Sequence, residues 1–388
     1  MTTADGTVVG TTKIVNAGDA AQRWNLVILG DGYQASELAQ YEADVKKFVD
    51  TLFATPPFDR LRPAVNVFRV DVTSTDSGAD EPTRCGGSGA TPATYFDATF
   101  CSQGIQRLLV VNQDTALTVA RDQVPQVHMV LVSVNSPVYG GSGGGVAVFS
   151  QAPDAVDIAL HEMGHTAFGL ADEYESLLGC GLETDHDHHP GPEPAEPNVT
   201  TVSDRTRIKW RTLIRPSTPV PTTSNPDCTK CDPAVGPPPG LPFTVVGAFE
   251  GADHYHCGAY RPQFNCQMRV LGNAFCAVCT RRIRETLHPF LPTILAASGR
   301  ITFLRAHDVG TRFGPPDDQI DVEVVVKLDS EPDKAFGFRL RADDDEGARQ
   351  GMLDTLRGAF NRNRPVVLDY RRAAGLDNGL LLRVADRT

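Results

Sequence analysis

Between residues 158 and 174 the chain reads IALHEMGHTAFGLADEY. His161 and His165 stand one helical turn apart, so both imidazoles project from one face. Two ring nitrogens so placed can reach one tetrahedral zinc ion at about 2.0–2.1 Å. Glu162 lies about 100° further round the helix, near enough to take a proton from an attacking water without being a ligand. A catalytic zinc needs a third protein ligand and an open position. Gly169, just past the last expected turn, allows φ > 0 and lets the chain fold back. Asp172 is then the expected third ligand, with Glu173 the alternative; the other carboxylate would orient a ligating histidine. The competing reading is a helix with two satisfied surface histidines. The apolar lead-in, the glycine and the acidic pair weigh against it.

The elements around this stretch must hold it. Asp154 follows Pro153 and suits the first turn of the helix, and Ile158, Leu160, Met163 and Phe168 supply its apolar surface. Upstream, RWNLVILGDGY reads as a buried strand ended by a glycine turn. ASELAQYEADVKKFVDTLFAT keeps a helical period until Pro56-Pro57 stops it. AVNVFRVDVTS alternates as a half-buried strand. Strand, helix and strand predict a βαβ unit. GIQRLLVVNQDTALTVARDQV is expected to be helical and VHMVLVSVN to be another strand. SPVYGGSGGGVAVFSQ is not a phosphate loop, because no GK[ST] follows. It is either a flexible turn into the short strand VAVFS or a strand at the rim of a cleft, where glycines let a substrate backbone approach.

Residues 176–260 are rich in Pro, Gly and Asp and read as loops over a catalytic core. ETDHDHH within them reads as a solvated acidic turn. CTRRIRETLHPFL is expected to be a helix ending near Pro289. After residue 298 the texture changes: ITFLRAHDV, IDVEVVVKL, KAFGFRLRA, PVVLDYRR and LLLRVAD read as strands, with one helix in GARQGMLDTLRGAF.

The bulk numbers exclude several partners. With 41% apolar and 22% charged residues the chain is globular. A net charge of −12 argues against nucleic acid and against an anionic membrane surface. No apolar run approaches the length of a membrane span. The first residues lack the basic and apolar regions of a secretory leader. Nine cysteines leave at least one thiol unpaired in a monomer. Disulfides are favoured over a metal held by Cys228, Cys231, Cys276 and Cys279, and Cys85 and Cys101 bracket a loop that a bridge would staple.

The string HEMGHTAFGLADEY departs from the metzincin pattern HExxHxxGxxH by one extra residue before the glycine and by Asp in place of the third His. It resembles the immunoglobulin A peptidase family of bacterial zinc metallopeptidases, whose motif is HExxHxxxGxxDEY. ILGDGY, FRVDVTSTDSGAD, VNSPVYGGSGG, the KW at 209–210 and YRPQFNCQMR agree with that family, so the resemblance spans about residues 24 to 290. It implies Met268 beneath the metal. A donor to the developing oxyanion is also expected. Tyr260 is taken as that donor, with Tyr255, Tyr174, Arg261 and Arg269 as alternatives.

The expected fold is a zincin-like α/β (α+β) catalytic domain over residues 1–298, with a mixed sheet backing the active-site helix. A smaller β-rich accessory domain with one helix would occupy 299–388. The expected activity is zinc-dependent hydrolysis of peptide bonds, within protein or peptide chains, using one catalytic Zn2+ on His161, His165 and Asp172 and Glu162 as general base. The substrate would lie extended along the strand near 146–149, expected to be a sheet edge free to pair with it. A zinc hydrolase of non-peptide amides and a silent binding protein of the same fold are the alternatives, and the intact Glu162 counts against the second. The cysteines and the family favour an extracellular location, which the missing leader opposes.

Overall fold

Branched apolar residues from 24 to 31 build the centre of a mixed sheet. The structure is a computed structural model and describes residues 5–180, 186–307, 323–340, 346–372 and 378–386. Its first strands are β1 (Gly6–Val15), β2 (Trp24–Asp31), β3 (Val65–Ser74), β4 (Met129–Val134), β5 (Gly141–Ser142) and β6 (Ala147–Ser150). They form one sheet in the order β1-β3-β2-β4-β6-β5. β2, β3, β4 and β6 run parallel, while β1 and β5 lie antiparallel at the two ends. Every residue of β2 is buried, as a strand covered on both faces requires.

Helix α1 (Leu38–Ala54) connects β2 to β3 and precedes the short α2 (Phe58–Leu61). The Tyr41 hydroxyl lies 2.9 Å from the Ile28 carbonyl, and the Phe48 ring packs 5.9 Å from Phe149. Helix α3 (Gln113–Gln123) contributes Ala116 and Val119 to a cluster with Val27, Leu29, Val130, Val132 and Phe96. Helix α4 (Ala155–Phe168) carries the two histidines of the opening stretch and packs on β4 and β6.

Two expectations are corrected here. The helix expected over 104–124 begins only at Gln113. Before it, the chain is bridged to neighbours: Leu109 N–H donates to Gly141 O at 3.3 Å, and Val110 and Thr99 exchange bonds of 2.9 Å. Asn112 then caps α3 by accepting from Thr115 N–H at 2.9 Å. Burial of Leu109 in this bridge outweighs its helical spacing. Second, the strand at 146–149 is not a free edge. β5 pairs with it, Gly141 opposite Phe149 and Ser142 opposite Val148.

Further along stand β7 (Phe249–Ala252), β8 (Tyr255–Arg261) and α5 (Ala277–Leu287). Three disulfides, Cys85–Cys101, Cys180–Cys231 and Cys228–Cys257, staple the loops. Cys228 and Cys231 are thereby spent, so the four-cysteine metal of 228, 231, 276 and 279 does not form. In ETDHDHH, residues 183–185 lie outside the described residues; His189 Nε2 sits 3.1 Å from Asp253 Oδ2.

The chain divides into two compact units, Met1–Asn16 with Trp24–Phe290, and Ala17–Arg23 with Leu291–Thr388. The second holds β9 (Leu295–Ala306), β10 (Val324–Leu328), β11 (Glu331–Phe338), α6 (Glu346–Asn361), β12 (Pro365–Arg372) and β13 (Gly379–Asp386). Its strands close into a barrel in the order β10-β11-β13-β12-β9. Leu353, Leu356 and Ala359 of α6 join Val324, Val326, Phe336 and Leu368 in its core. The expected strand residues 308–309, 320–322 and 341–342 lie outside the described residues.

Candidate metal centre

Helix α4 ends at Gly169, whose φ of 60° is open to glycine at little cost. Its N–H reaches His165 O at 3.0 Å, and Leu170 N–H reaches Gly164 O at 3.1 Å. The chain thus returns beneath the histidines. The Leu170 carbonyl sits 2.6 Å from His165 Nδ1, and the Gln267 carbonyl 3.1 Å from His161 Nδ1. A carbonyl only accepts, so each Nδ1 carries its proton and each Nε2 is left to face the cleft.

Asp172 follows on the returning segment. Its Oδ1 lies 2.9 Å from His161 Nε2 and 3.2 Å from His165 Nε2, and the two Nε2 atoms are 3.1 Å apart. Asp172 Oδ1 is buried without a hydrogen bond of good geometry. Three lone-pair atoms therefore crowd one point, which calls for a cation. That set fits a metal of the zinc type, for which imidazole and carboxylate are ordinary ligands.

The electrostatics agree. Burial works to raise the Asp172 pKa, but hydrogen bonds with His161, His165 and His254 overcome it and hold the carboxyl well below its usual range. Burial works to lower His165, yet Asp172 outweighs it and raises the ring to about 9. In the metal-free chain a proton on Nε2 and a metal ion are thus rivals for the same position. Desolvation pushes the Glu162 carboxyl above its ordinary value, against the pull of His161 and His165.

His161, Glu162, His165 and Asp172 share a cleft of about 560 Å³. Gly141 and Gly143 form its wall because a side chain would not fit. A Cβ on Gly141 would meet Ile158 Cγ2 at 2.7 Å and Glu162 Oε1 at 3.0 Å; one on Gly143 would meet His165 Cβ at 2.6 Å. Met268 is fully buried under α4, and its carbonyl accepts from Glu173 N–H at 2.8 Å.

Other expected residues fall elsewhere. Tyr260 is not in the cleft; its hydroxyl donates to Glu250 at 3.3 Å. Glu173 is wholly buried and bonds Asn198 at 2.9 Å, so it does not join the histidines. Arg261 is buried and donates to the carbonyls of Glu250 and Phe264. Arg269 lines the cleft and pairs with Glu175 at 3.2 Å.

The sequence reading missed His254, Arg107 and Tyr139, which also line the cleft. His254 occupies the tip of the β7–β8 hairpin with Asp253, at φ 68° and 53°. The tip is docked on the segment that carries Asp172: Asp253 N–H reaches Asp172 O, and His254 N–H reaches Tyr174 O, both at 3.0 Å. His254 Nε2 then sits 2.9 Å from Asp172 Oδ2. A usable signal was present, because Asp-His stands where a tight hairpin ordinarily places Asn-Gly.

Paired imidazoles, a carboxylate and a second carboxyl in an open cleft on a mixed α/β fold define a metal-dependent hydrolase. The model of the IgA peptidase M64 family matches residues 12–232 and 242–287, and the chain belongs to that family. It is a metallopeptidase, which hydrolyses peptide bonds. No curated protein matches the sequence.

Proposed function

We propose that this protein is a zinc-dependent endopeptidase whose metal is held by His161, His165 and Asp172. The observation that carries the reading is the convergence of two Nε2 atoms and Asp172 Oδ1 within 3.2 Å of one another. Bound zinc would supply Lewis acidity, lowering the pKa of a water toward about 7 and polarising the scissile carbonyl. Glu162 takes the proton of the attacking water and passes it to the leaving amine, a role its raised pKa favours. His254 Nε2 holds Asp172 Oδ2, the oxygen turned away from the histidines. Arg107, Tyr139 and Tyr174 line the cleft and offer donors to the developing oxyanion. In this reading Tyr260 has no catalytic part.

The unit built on Trp24–Phe290 is a zincin-like catalytic domain in this reading, and the barrel unit an accessory domain; the boundary expected at 298 would cut β9, so it moves to about residue 290. Three disulfides favour an extracellular setting. Among the described residues no helix is long and apolar enough to cross a membrane. The test pairs zinc content with digestion of a mixed peptide library, for wild type and Glu162→Gln. Zinc in both with cleavage in wild type alone is expected, with new termini inside the peptides. Equal cleavage by both would remove Glu162 from the mechanism, and products trimmed only from their ends would overturn the endopeptidase assignment.

A further inference from the structure

Behind the cleft lies a second group of ligand-type side chains. Cys266, Cys276 and Cys279 are free and buried, and their sulfurs gather with the Glu173 carboxylate within 4.8 Å. The other six cysteines are all paired. We propose that Cys266, Cys276, Cys279 and Glu173 hold a second, structural metal ion of the zinc type. The assignment is independent of the catalytic reading of His161, His165 and Asp172.

Distances carry the argument. Four ligands around one tetrahedral ion, with zinc–sulfur arms of about 2.3 Å, stand about 3.8 Å apart for sulfur pairs and about 3.5 Å for sulfur and oxygen. Cys266 Sγ lies 3.7 Å from Cys279 Sγ. Glu173 Oε1 lies 3.5 Å from Cys276 Sγ and 3.2 Å from Cys279 Sγ. These separations are far longer than a disulfide, and three thiols cannot all pair among themselves.

A second observation points the same way. Glu173 is wholly buried and its Oε2 has no hydrogen-bond partner. A carboxyl so placed must either keep its proton or have a positive charge beside it, and three sulfurs of ligand type surround this one. The thiolates have backbone support: Cys276 N–H donates to Cys266 Sγ at 3.2 Å, and Cys279 N–H to Cys276 Sγ at 3.4 Å. Cys276 caps α5, so it sits at the positive end of the helix dipole, which stabilises thiolate. Soft sulfur ligands select zinc over calcium or magnesium. The ion would tie the loop after β8, the start of α5 and the segment that carries Asp172, giving the cleft wall a rigid back.

Cobalt tests this directly, because a thiolate on Co2+ gives a near-ultraviolet charge-transfer band and the histidine–aspartate site has no thiolate. The full chain is produced in cobalt-supplemented medium and its spectrum and metal content are measured, for wild type, His165→Ala and Cys279→Ser. Wild type is expected to show the band with two ions per chain. His165→Ala should lose one ion and keep the band; Cys279→Ser should lose the band. The wild-type spectrum decides even where Cys279→Ser fails to fold. Cobalt bound without a thiolate band, or a disulfide among the three cysteines found by mass spectrometry, would overturn the proposal. Either result would leave the peptidase reading standing if wild type still cleaves peptides and Glu162→Gln does not.

Discussion

Gly164 and Met268 meet where any side chain on the first would collide with the second. A Cβ on Gly164 would lie 2.5 Å from Met268 Sδ and 3.1 Å from its Cε. Gly164 is in mid-helix, one residue before His165, where glycine ordinarily costs about 1 kcal/mol relative to alanine. The close approach of the methionine offsets that cost.

Gly164→Ala should therefore destabilise the protein despite its better helix propensity. Overpacking costs about 1–3 kcal/mol, which exceeds the propensity gain, and metal retention should fall as His165 shifts. Melting curves and zinc content of Gly164→Ala, Met268→Ala and the double variant check this. The double variant should lose less than the two single losses combined; simple additivity would show that the contact does not matter.

His254 takes one oxygen of Asp172 and so turns the other toward the histidines. His254→Ala should weaken metal binding by roughly 10–100-fold. Excess zinc should then restore most of the peptidase activity, whereas Glu162→Gln should not recover at any zinc concentration. A competition titration with a chelator measures the affinity, and an unchanged value would remove His254 from the metal's support.

Tyr260 and the cleft tyrosines should separate cleanly. Tyr260→Phe removes a hydrogen bond to Glu250 worth about 1 kcal/mol of stability and should leave kcat/KM unchanged. If a phenol serves the oxyanion, Tyr139→Phe or Tyr174→Phe should lower kcat by roughly 10²-fold. Steady-state kinetics on one peptide would decide, and a large loss in Tyr260→Phe alone would reverse the assignment.

Glu193 should make stability depend on acid. Burial is the largest single influence and works to raise its pKa, but the bonds it accepts from Thr200, from Thr201 Oγ1 and N–H, and from Lys209 together outweigh it and hold the pKa at about 2. A depressed carboxyl stabilises the fold above its unfolded pKa, near 4.3, and loses that contribution as pH falls toward 2. The side chain is 36% exposed, so solvent screening limits the effect to on the order of 1 kcal/mol. Glu193→Gln should melt lower than wild type at pH 6, with the gap closing toward pH 2. A gap constant over that range would rule out the linkage.

Much of the architecture was legible because local spacing carries it. Branched runs marked β2 and β4, Pro56-Pro57 marked the end of α1, and alternation marked β3. The helix over 104–112 was misread because the same apolar spacing fits an extended segment once neighbours supply its hydrogen bonds. The free edge at 146–149 was misread because a two-residue strand, β5, has no pattern of its own.

By itself the sequence determined the one-turn spacing of His161 and His165, the glycine that reverses the chain, the carboxylates beyond it and the family. These are relations within a few residues, set by helix geometry and φ preference. Only the tertiary structure decided that Asp172 turns toward the histidines while Glu173 turns to Cys276 and Cys279. It also brought His254 to Asp172 from 82 residues away and set Tyr260 against Glu250. Adjacent residues on an extended segment point to opposite sides, and which of them faces the histidines is decided by what packs there.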